Sequence, residues 1–249
     1  MLLTDKQQQR PAVLSIAGFD PSGGAGLLAD MKTAEQLQTR GMAIMTANTI
    51  QTEDTFFHID WVDVKVVCMG IEAIMQRYPI QVVKLGIVKD LAYLAAILQA
   101  VRAQRPDVFI IWDPVLKSSS GFTFFDTADC ETLGRLLPAI DLLTPNAEEY
   151  QALAPALTDF PNALLLKGGH REKERGVDTL LKPGTRIDFP SGVRTIYPKH
   201  GSGCVLSAAI AAYLAHGENL AQACRRAKAY TEQFLNSHPS LLGFHYDTK

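Results

Sequence analysis

The feature that most constrains the fold is a repeated alternation of two kinds of segment. Short, continuously apolar runs are followed by longer segments in which apolar residues recur every three or four positions. The first run, Ala12–Ala17, is typical of a buried strand, and Leu27 to Arg40 then has helical spacing. Strands that are apolar on both faces and joined by helices are typical of parallel sheets. The sequence therefore predicts an α/β fold, with a mainly parallel sheet covered by helices on both faces.

The alternation continues to the carboxyl end without a linker, a break in composition or an internal repeat. We therefore expect one domain over residues 1–249. The predicted strands are Ala12–Ala17, Ala43–Ile50, Gln81–Val88, Val108–Asp113, Leu142–Thr144 and Ala163–Lys167, followed by a hairpin over Asp178–Phe189. The predicted helices are Leu27–Arg40, Val64–Met75, Leu91–Val101, a segment around Leu133–Leu137 that Pro138 ends, Asn146–Leu153, Val205–His216 and Leu220–Leu235.

Composition limits the classes of function. The 249 residues are 47% hydrophobic, and 24 basic against 26 acidic side chains give a formal net charge of −2. No basic surface is available to follow a nucleic-acid backbone, and no apolar stretch approaches the roughly 18 residues that cross a bilayer. The polar segment Met1–Pro11 does not resemble a secretory signal, and four scattered cysteines favour a reducing compartment. We expect a cytoplasmic protein without a nucleic-acid or membrane partner.

Two glycine-rich segments lie next to predicted helices. Gly18–Gly26 follows the first strand, and its four glycines would let the backbone approach a ligand closely. The segment lacks the spacing and the lysine of a P-loop, and the alternative is a flexible turn with Asp20 as a cap. Gly201–Cys204 opens a helix, where backbone N–H groups and the helix dipole would form an anion hole for a phosphoryl group. We expect this helix start to lower the pKa of the Cys204 thiol, which could then contact or deprotonate an attacking hydroxyl. The alternative for Cys204 is a small buried apolar residue.

Polar residues follow several of the other predicted strands. Asn146 and Glu149 share a face of a predicted first helical turn. Together with Asp113 they could hold Mg²⁺, partly through water. The alternative is that Asn146 and Glu149 simply cap the helix. Lys167 could meet a nucleotide phosphate, and the glycine pair that begins at Gly168 would leave room for it. The alternative there is a solvated lysine before a turn.

A side-chain amide at the end of the second strand provides both a hydrogen-bond donor and an acceptor. Gln51 could therefore match the edge of an aminopyrimidine, although a polar residue at a strand end is common. His170 is interpreted as a structural or surface residue.

Together these segments resemble the hydroxymethylpyrimidine/phosphomethylpyrimidine kinase family, a branch of the ribokinase superfamily. The resemblance runs from about Val13 to Phe234, and its most specific parts are AGFDPSGGAGLLADMKT near the start and HGSGCVLSAAIAA near the end. The matches VKLGIV, DPV, LLTPNAEE and LLKGGH lie between them in the family's order. The resemblance implies a ribokinase-like three-layer α/β/α sandwich, ATP and Mg²⁺ as cofactors, an aminopyrimidine alcohol or its phosphate as substrate, and a homodimer.

The resemblance also implies roles for individual residues. Cys204 in place of the aspartate base of many superfamily members indicates the pyrimidine/pyridoxal branch rather than sugar kinases. The implied substrate contacts are Asp20, Gly24, Gln51, Gly86, Ile87 and Val115; the ATP contacts are Asn146, Lys167, Gly168 and Lys228; the metal ligands are Asp113 and Glu149; and the anion hole is Gly201, Ser202, Gly203 and Cys204.

The chain departs from the family pattern in several places. Ser202 replaces a threonine, Phe19 replaces a small polar residue, the stretch from Gln151 to Asn162 is shorter than usual, and the end lacks the customary Gly-Pro. Two alternatives to the pyrimidine kinase remain open from the sequence. One is a pyridoxal or pyridoxine kinase of the same superfamily, and the other is a ligand-binding protein that kept the fold and lost catalysis.

Overall fold

The computed structural model describes residues 10–117, 121–125, 129–169, 176–193 and 196–246. The strands of this part of the chain are β1 (Ala12–Phe19), β2 (Arg40–Gln51), β3 (Phe56–Trp61), β4 (Val82–Leu85), β5 (Phe109–Trp112), β6 (Leu142–Leu143), β7 (Ala163–Leu166), β8 (Asp178–Lys182) and β9 (Thr185–Phe189). The α-helices are α1 (Gly26–Gln36), α2 (Val64–Arg77), α3 (Leu91–Gln104), α4 (Cys130–Leu136), α5 (Ala147–Leu153), α6 (Ser202–Ala215) and α7 (Leu220–Asn236). The segment that contains His170 lies outside the described residues.

These strands form one sheet in the order β3-β2-β1-β4-β5-β6-β7-β8-β9. The central strands from β2 to β7 pair in parallel, whereas β3 at one end and the β8–β9 hairpin at the other are antiparallel. The predicted mainly parallel α/β sheet is therefore confirmed, as is the hairpin. β2 and β3 lie on one side of β1, whereas β4 to β9 follow one another on the other side. The direction of the strand order therefore reverses between β1 and β4, and folds of this kind bind ligands at such a topological switch point.

Apolar side chains cover both faces of the sheet. On β1, Leu14 and Ile16 belong to the apolar cluster that includes residues of α2, α3 and α4, while the intervening Val13 belongs to the cluster that includes residues of α1, α6 and α7. Successive residues of a strand point to opposite faces, so a continuously apolar strand needs helices on both sides. This explains the three layers. Helix α6 is buried almost all round, because it lies between the sheet and its neighbour α7.

Several element bounds differ from the sequence prediction: β1 continues to Phe19, β2 begins at Arg40, β4 ends at Leu85 and α6 begins at Ser202. Helix α1 ends at Gln36 instead of continuing to Arg40, because Gln38 adopts a positive φ of 56° and Arg40 already pairs with Ala12 in the sheet. The edge strand β3 was not predicted at all. All six of its residues are half-buried or exposed, and His58 and Asp60 interrupt its apolar residues, so no apolar run marks it as a strand of a buried sheet. Within the described ranges, every helix is too short or too polar to cross a membrane.

Candidate active site

A cleft of about 810 Å³ opens at the carboxyl ends of the parallel strands. Each of these strands delivers a candidate residue to it at or just beyond its last position: Asp20 after β1, Gln51 on β2, Gly86 after β4, Asp113 after β5, Asn146 beyond β6 and Lys167 after β7. Residues that are far apart in the sequence meet here because parallel strands end at the same edge of the sheet. The position agrees with the rule that α/β sheets bind ligands beyond their strand ends.

The two predicted glycine-rich segments lie in direct contact. Gly201 has a φ of 72°, and a Cβ atom there would lie 2.0 Å from the carbonyl oxygen of Gly24 and 2.6 Å from Cα of Ala25. Only glycine allows both this left-handed conformation and this close approach. The start of α6 is thus fixed against the loop that follows β1, which places its exposed N–H groups at the wall of the cleft.

Asp20 holds the first loop in shape. Its carboxylate accepts hydrogen bonds from the Ser22 N–H (2.9 Å), the Ser22 hydroxyl (2.8 Å) and the Ala25 N–H (2.8 Å), and it lies 2.9 Å from Nε2 of His200. Burial raises the pKa of the Asp20 carboxyl, but the hydrogen bonds from His200 and Ser22 outweigh it, so that the pKa is lowered. Asp20 lines the cleft. Because its carboxylate is hydrogen-bonded both within the loop after β1 and to His200, it joins this loop to the segment before α6.

A buried ion pair lies beside the start of α6. Nζ of Lys167 is 2.8 Å from Oδ1 of Asp113, whose side chain also accepts hydrogen bonds from Thr144 (3.1 Å) and Ser207 (3.2 Å). Burial favours a neutral Asp113, but the nearby ammonium of Lys167 outweighs it and lowers the pKa of the carboxyl. A Cβ atom on Gly203 would lie 3.2 Å from Nζ of Lys167 and 3.6 Å from Oδ2 of Asp113. The absent side chain of Gly203 therefore leaves room for a ligand atom between backbone donors and this ion pair.

Asn146 and Glu149 form a reciprocal cap at the start of α5. The Asn146 side chain accepts from the Glu149 N–H at 2.9 Å, and the Glu149 side chain accepts from the Asn146 N–H at 2.7 Å. The helix-cap alternative is therefore present in the structure. Glu149 also lies 3.7 Å from Nζ of Lys167, and both capping residues line the cleft.

The oxygen ligands of this region suit magnesium. Asp113 and Glu149 both approach the same ammonium, that of Lys167, so their carboxylates converge on a place where a cation is favourable. No group of three or more His, Cys, Asp or Glu side chains in the described part of the chain could hold a metal ion by itself. Mg²⁺ prefers one or two carboxylates together with water and phosphate oxygens, which fits two residues rather than a closed cage.

Cys204 differs from the expectation. Burial raises the pKa of its thiol to about 11, although Lys84 and the Gly26 N–H act in the opposite direction. The predicted lowering of the pKa by the helix start is therefore wrong, because desolvation of a thiolate outweighs the effect of the helix terminus and the nearby ammonium. At neutral pH the group is a thiol, which favours a polar contact over a strong base.

The remaining predicted residues divide into two groups. Gln51, Gly86, Ile87 and Val115 line one end of the cleft, and Nε2 of Gln51 donates to the Thr49 hydroxyl at 2.9 Å. Gly24 and Gly168 do not line it. Gly24 packs against Gly201, and a Cβ atom on Gly168 would lie 2.0 Å from the carbonyl oxygen of Val177. The glycine that faces the cleft beside Lys167 is Gly169.

Lys228 also lines the cleft, but protein groups surround its ammonium. Nζ donates to the Gly176 carbonyl at 2.7 Å and lies 3.2 Å from Asp178 and 3.4 Å from Glu232. This arrangement ties α7 to the start of β8. The predicted contact between Lys228 and ATP stays a prediction, since the ligand would have to share the ammonium with these acceptors.

Sequence reasoning missed a lysine and a histidine that line the cleft, together with the aspartate that pairs with this lysine from outside the cleft. Lys84, on β4, has both Asp30 carboxylate oxygens at 3.0 and 2.8 Å, and both side chains are 2% exposed. His200 links the second glycine loop to Asp20. A lysine inside the apolar run of β4 was the available signal, because a buried ammonium requires a partner. The partner, on α1, could not be identified from the sequence alone.

Comparisons with known proteins agree with this geometry. Residues 20–248 match the family described as phosphomethylpyrimidine kinase. A hydroxymethylpyrimidine/phosphomethylpyrimidine kinase of Aquifex aeolicus (strain VF5) is 32% identical over 242 residues, which are 90% of this chain and 94% of that protein.

Two of the solved structures that are similar to the chain show the fold. The phosphomethylpyrimidine kinase of Clostridium difficile 630 superposes with a TM-score of 0.75 at 29% identity, covering 89% of this chain and 98% of that one. A pyridoxal kinase from Staphylococcus aureus in complex with AMP-PCP superposes with a TM-score of 0.79 at 25% identity, covering 91% and 88%. The expected ribokinase-like α/β/α fold is thereby confirmed. Because the family match spans nearly the whole sequence, the chain belongs to the phosphomethylpyrimidine kinase family.

Proposed function

We propose that this kinase transfers the γ-phosphoryl group of ATP to the hydroxymethyl group of 4-amino-5-hydroxymethyl-2-methylpyrimidine, and then to the resulting monophosphate. The observation that carries the proposal is the position of Gly203 at the N-terminus of α6, directly beside Lys167 and Asp113. Backbone N–H groups there would hold the equatorial oxygens of the phosphoryl group, on which negative charge lies during transfer. The whole chain would act as a single domain in the cytoplasm, with both substrates bound at one edge of the sheet.

The two ends of the cleft suit the two substrates. The acceptor ring would lie among Gln51, Gly86, Ile87 and Val115, where mostly apolar walls and one side-chain amide match an aminopyrimidine. The nucleotide would approach from the side of Lys167, with Asn146 and Lys228 along its path. The thiol of Cys204 would orient the acceptor hydroxyl, because its raised pKa leaves it protonated.

Mg²⁺ would be held through Asp113 and Glu149, and it would neutralise charge on the nucleotide phosphates. Lys167 would complement it as a second cation. Burial disfavours the Lys167 ammonium, but Asp113 and Glu149 outweigh this and raise the pKa, so the ammonium stays charged at neutral pH. ATP use is supported by the family and by the ATP analogue bound to the similar Staphylococcus aureus kinase.

One assay with three acceptors tests the proposal. With MgATP, we expect ADP formation with the pyrimidine alcohol and with its monophosphate, and much less with pyridoxal. A Gly203→Val preparation made in parallel is the control for contaminating kinases, because its side chain would fill the space beside Lys167. Turnover with pyridoxal alone would favour the vitamin B6 alternative. Binding of the pyrimidine without ADP formation from any acceptor would favour a protein that has lost catalysis.

The pyridoxal alternative has one observation in its favour, which is the structural similarity to a pyridoxal kinase at 25% identity. The higher identity of 32% to a pyrimidine kinase favours the pyrimidine. The assay above separates the two substrates directly.

We also propose that two copies of the chain form a homodimer through the β3 edge of the sheet and through α2, which packs on the neighbouring strand β2. Five large apolar side chains lie exposed between residues 45 and 69, including Phe57 (65%), Val66 (59%) and Met69 (68%). An edge strand with neighbouring exposed apolar groups is typical of a surface that pairs with another chain.

If this surface forms the dimer, the protein should sediment at about twice its mass of 27.3 kDa. The double variant Val66→Glu/Met69→Glu should sediment as a monomer, because it places charges on the apolar surface. The matched control is Thr185→Glu on β9, at the opposite edge of the sheet, which should leave the mass unchanged. A wild-type monomer, or a double variant that stays dimeric, would contradict this interface.

A further inference from the structure

Lys84 is the most deeply buried cation of the cleft. Its side chain is 2% exposed, yet it lines the cleft, whereas its partner Asp30 does not. The carboxylate therefore lies behind the ammonium, and the pair presents its positive end to the ligand. Burial disfavours the charged form, but the negative charge of Asp30 outweighs it and raises the pKa of Lys84.

The ammonium faces the acceptor end of the cleft. A Cβ atom on Gly86 would lie 3.5 Å from Nζ of Lys84, and Gly86 is one of the residues that line this end. Two N–H donors of Lys84 are directed at the two oxygens of Asp30. Among the described residues, no further acceptor lies within hydrogen-bond distance of the third donor.

The other buried or half-buried lysines of the cleft have different partners, and Lys117, which also lines it, is exposed. Lys167 is paired with Asp113 on the nucleotide side, Lys228 with Gly176 and Asp178, and Lys199 donates to the His238 carbonyl. Lys84 is thus the buried cation on the acceptor side.

The two proposed transfers make different demands at this position. In the first, the hydroxyl oxygen of the alcohol bonds to Pγ, the bond from Pγ to the leaving oxygen of ADP breaks, and one proton is released. In the second, an oxygen of the acceptor phosphate bonds to Pγ, and the bond from Pγ to the leaving oxygen of ADP breaks as before. This acceptor oxygen is already ionised, so no proton is released. The second transfer instead brings two anionic phosphates together, which a fixed cation between them would favour.

We propose that Lys84 binds the phosphate of the monophosphate acceptor and so determines the ability of the enzyme to carry out the second transfer. Asp30 is a positioning residue that holds the ammonium in place. The neutral alcohol has no phosphate for Lys84 to bind and depends on it much less. This inference rests on the proposed two-step function.

The test compares kcat/KM for the two acceptors in wild type and in the double variant Lys84→Met/Asp30→Asn. The double variant is preferred to Lys84→Met because the single change would leave a buried carboxylate unpaired, which can prevent folding. We expect kcat/KM for the monophosphate to fall at least about 100-fold, which is the effect of removing one donor that stabilises charge in the transition state. For the alcohol we expect kcat/KM to fall less than about tenfold. Lys89→Met, an exposed lysine that follows the same strand, is the control and should change neither value.

Equal losses with both acceptors, or a larger loss with the alcohol, would overturn the proposal, since a purely structural role lowers both rates together.

If the double variant does not fold, a second experiment decides: calorimetry measures the binding of each acceptor to the wild type without nucleotide. The monophosphate should then bind at least about tenfold more tightly than the alcohol, and equal or weaker binding overturns the role of Lys84. A wild type that uses only the alcohol rejects the Lys84 proposal and leaves the kinase function standing, whereas one that uses neither acceptor rejects both.

Discussion

Replacing Gly201 by alanine should lower kcat/KM by about 10³-fold while the protein still folds. The added Cβ atom would lie 2.0 Å from the Gly24 carbonyl oxygen, and the φ of 72° disfavours any side chain. The two glycine loops must then separate, which moves the N–H groups of α6 away from the phosphoryl group. Steady-state kinetics give the loss, and thermal unfolding shows whether the fold remains.

The matched control is Gly184→Ala in the β8–β9 turn. Gly184 has a φ of 70°, nearly that of Gly201, but a Cβ atom there meets nothing within 4 Å. Both variants have the same backbone strain, of about 1–2 kcal/mol. Only Gly201→Ala should lose activity. If the two variants had equal activity, the close contact between the loops would have no role in transfer.

Asp113→Asn should lower kcat by about 10³-fold and raise the Mg²⁺ concentration needed for half-maximal rate. The carboxylate is fully buried and is paired with Lys167 at 2.8 Å, so the substitution removes both a proposed metal ligand and the partner of a buried ammonium. Loss of one member of a buried pair costs about 3–5 kcal/mol of unfolding free energy. Kinetics over a range of Mg²⁺ concentrations and chemical denaturation measure the two effects.

The same variant should shift the alkaline limit of activity to lower pH. In the wild type the pKa of Lys167 is raised, with Asp113 its strongest carboxylate partner, so the ammonium stays charged until the pH passes that raised value. Without the negative charge of Asp113, the pKa of the Lys167 ammonium and that of the Cys204 thiol both fall, so both groups lose their proton at lower pH. An unchanged alkaline limit would show that Lys167 does not set it.

Asp141→Asn is the control for Asp113→Asn. Asp141 also forms an ion pair, at 2.8 Å from Arg102, but its side chain is 32% exposed and it lies outside the cleft. We expect unchanged kcat and Mg²⁺ dependence, with a loss of stability of about 1 kcal/mol. A similar loss of activity in both variants would indicate a general effect of destabilisation instead of a role for Asp113 at the site.

The sequence by itself determined most of the strands and helices and the edge at which the site lies. Apolar runs such as Ala12–Ala17 are local signals that locate a buried strand, although β1 itself continues to Phe19. Because parallel strands end at one edge, Asp113 and Lys167 could be assigned to the same site without knowing the distance between them. The edge strand β3 escaped this reasoning, since exposed strands lack the apolar run.

Only the tertiary structure decided how the charges and thiols of the site behave. The pKa of Cys204 is raised and not lowered, Lys84 is paired with Asp30, and Gly24 packs against Gly201 without lining the cleft. Each of these facts depends on burial or on a partner from a distant part of the chain. The free energy of a charge changes with its solvation and with every neighbouring charge, and the order of residues along the chain specifies neither.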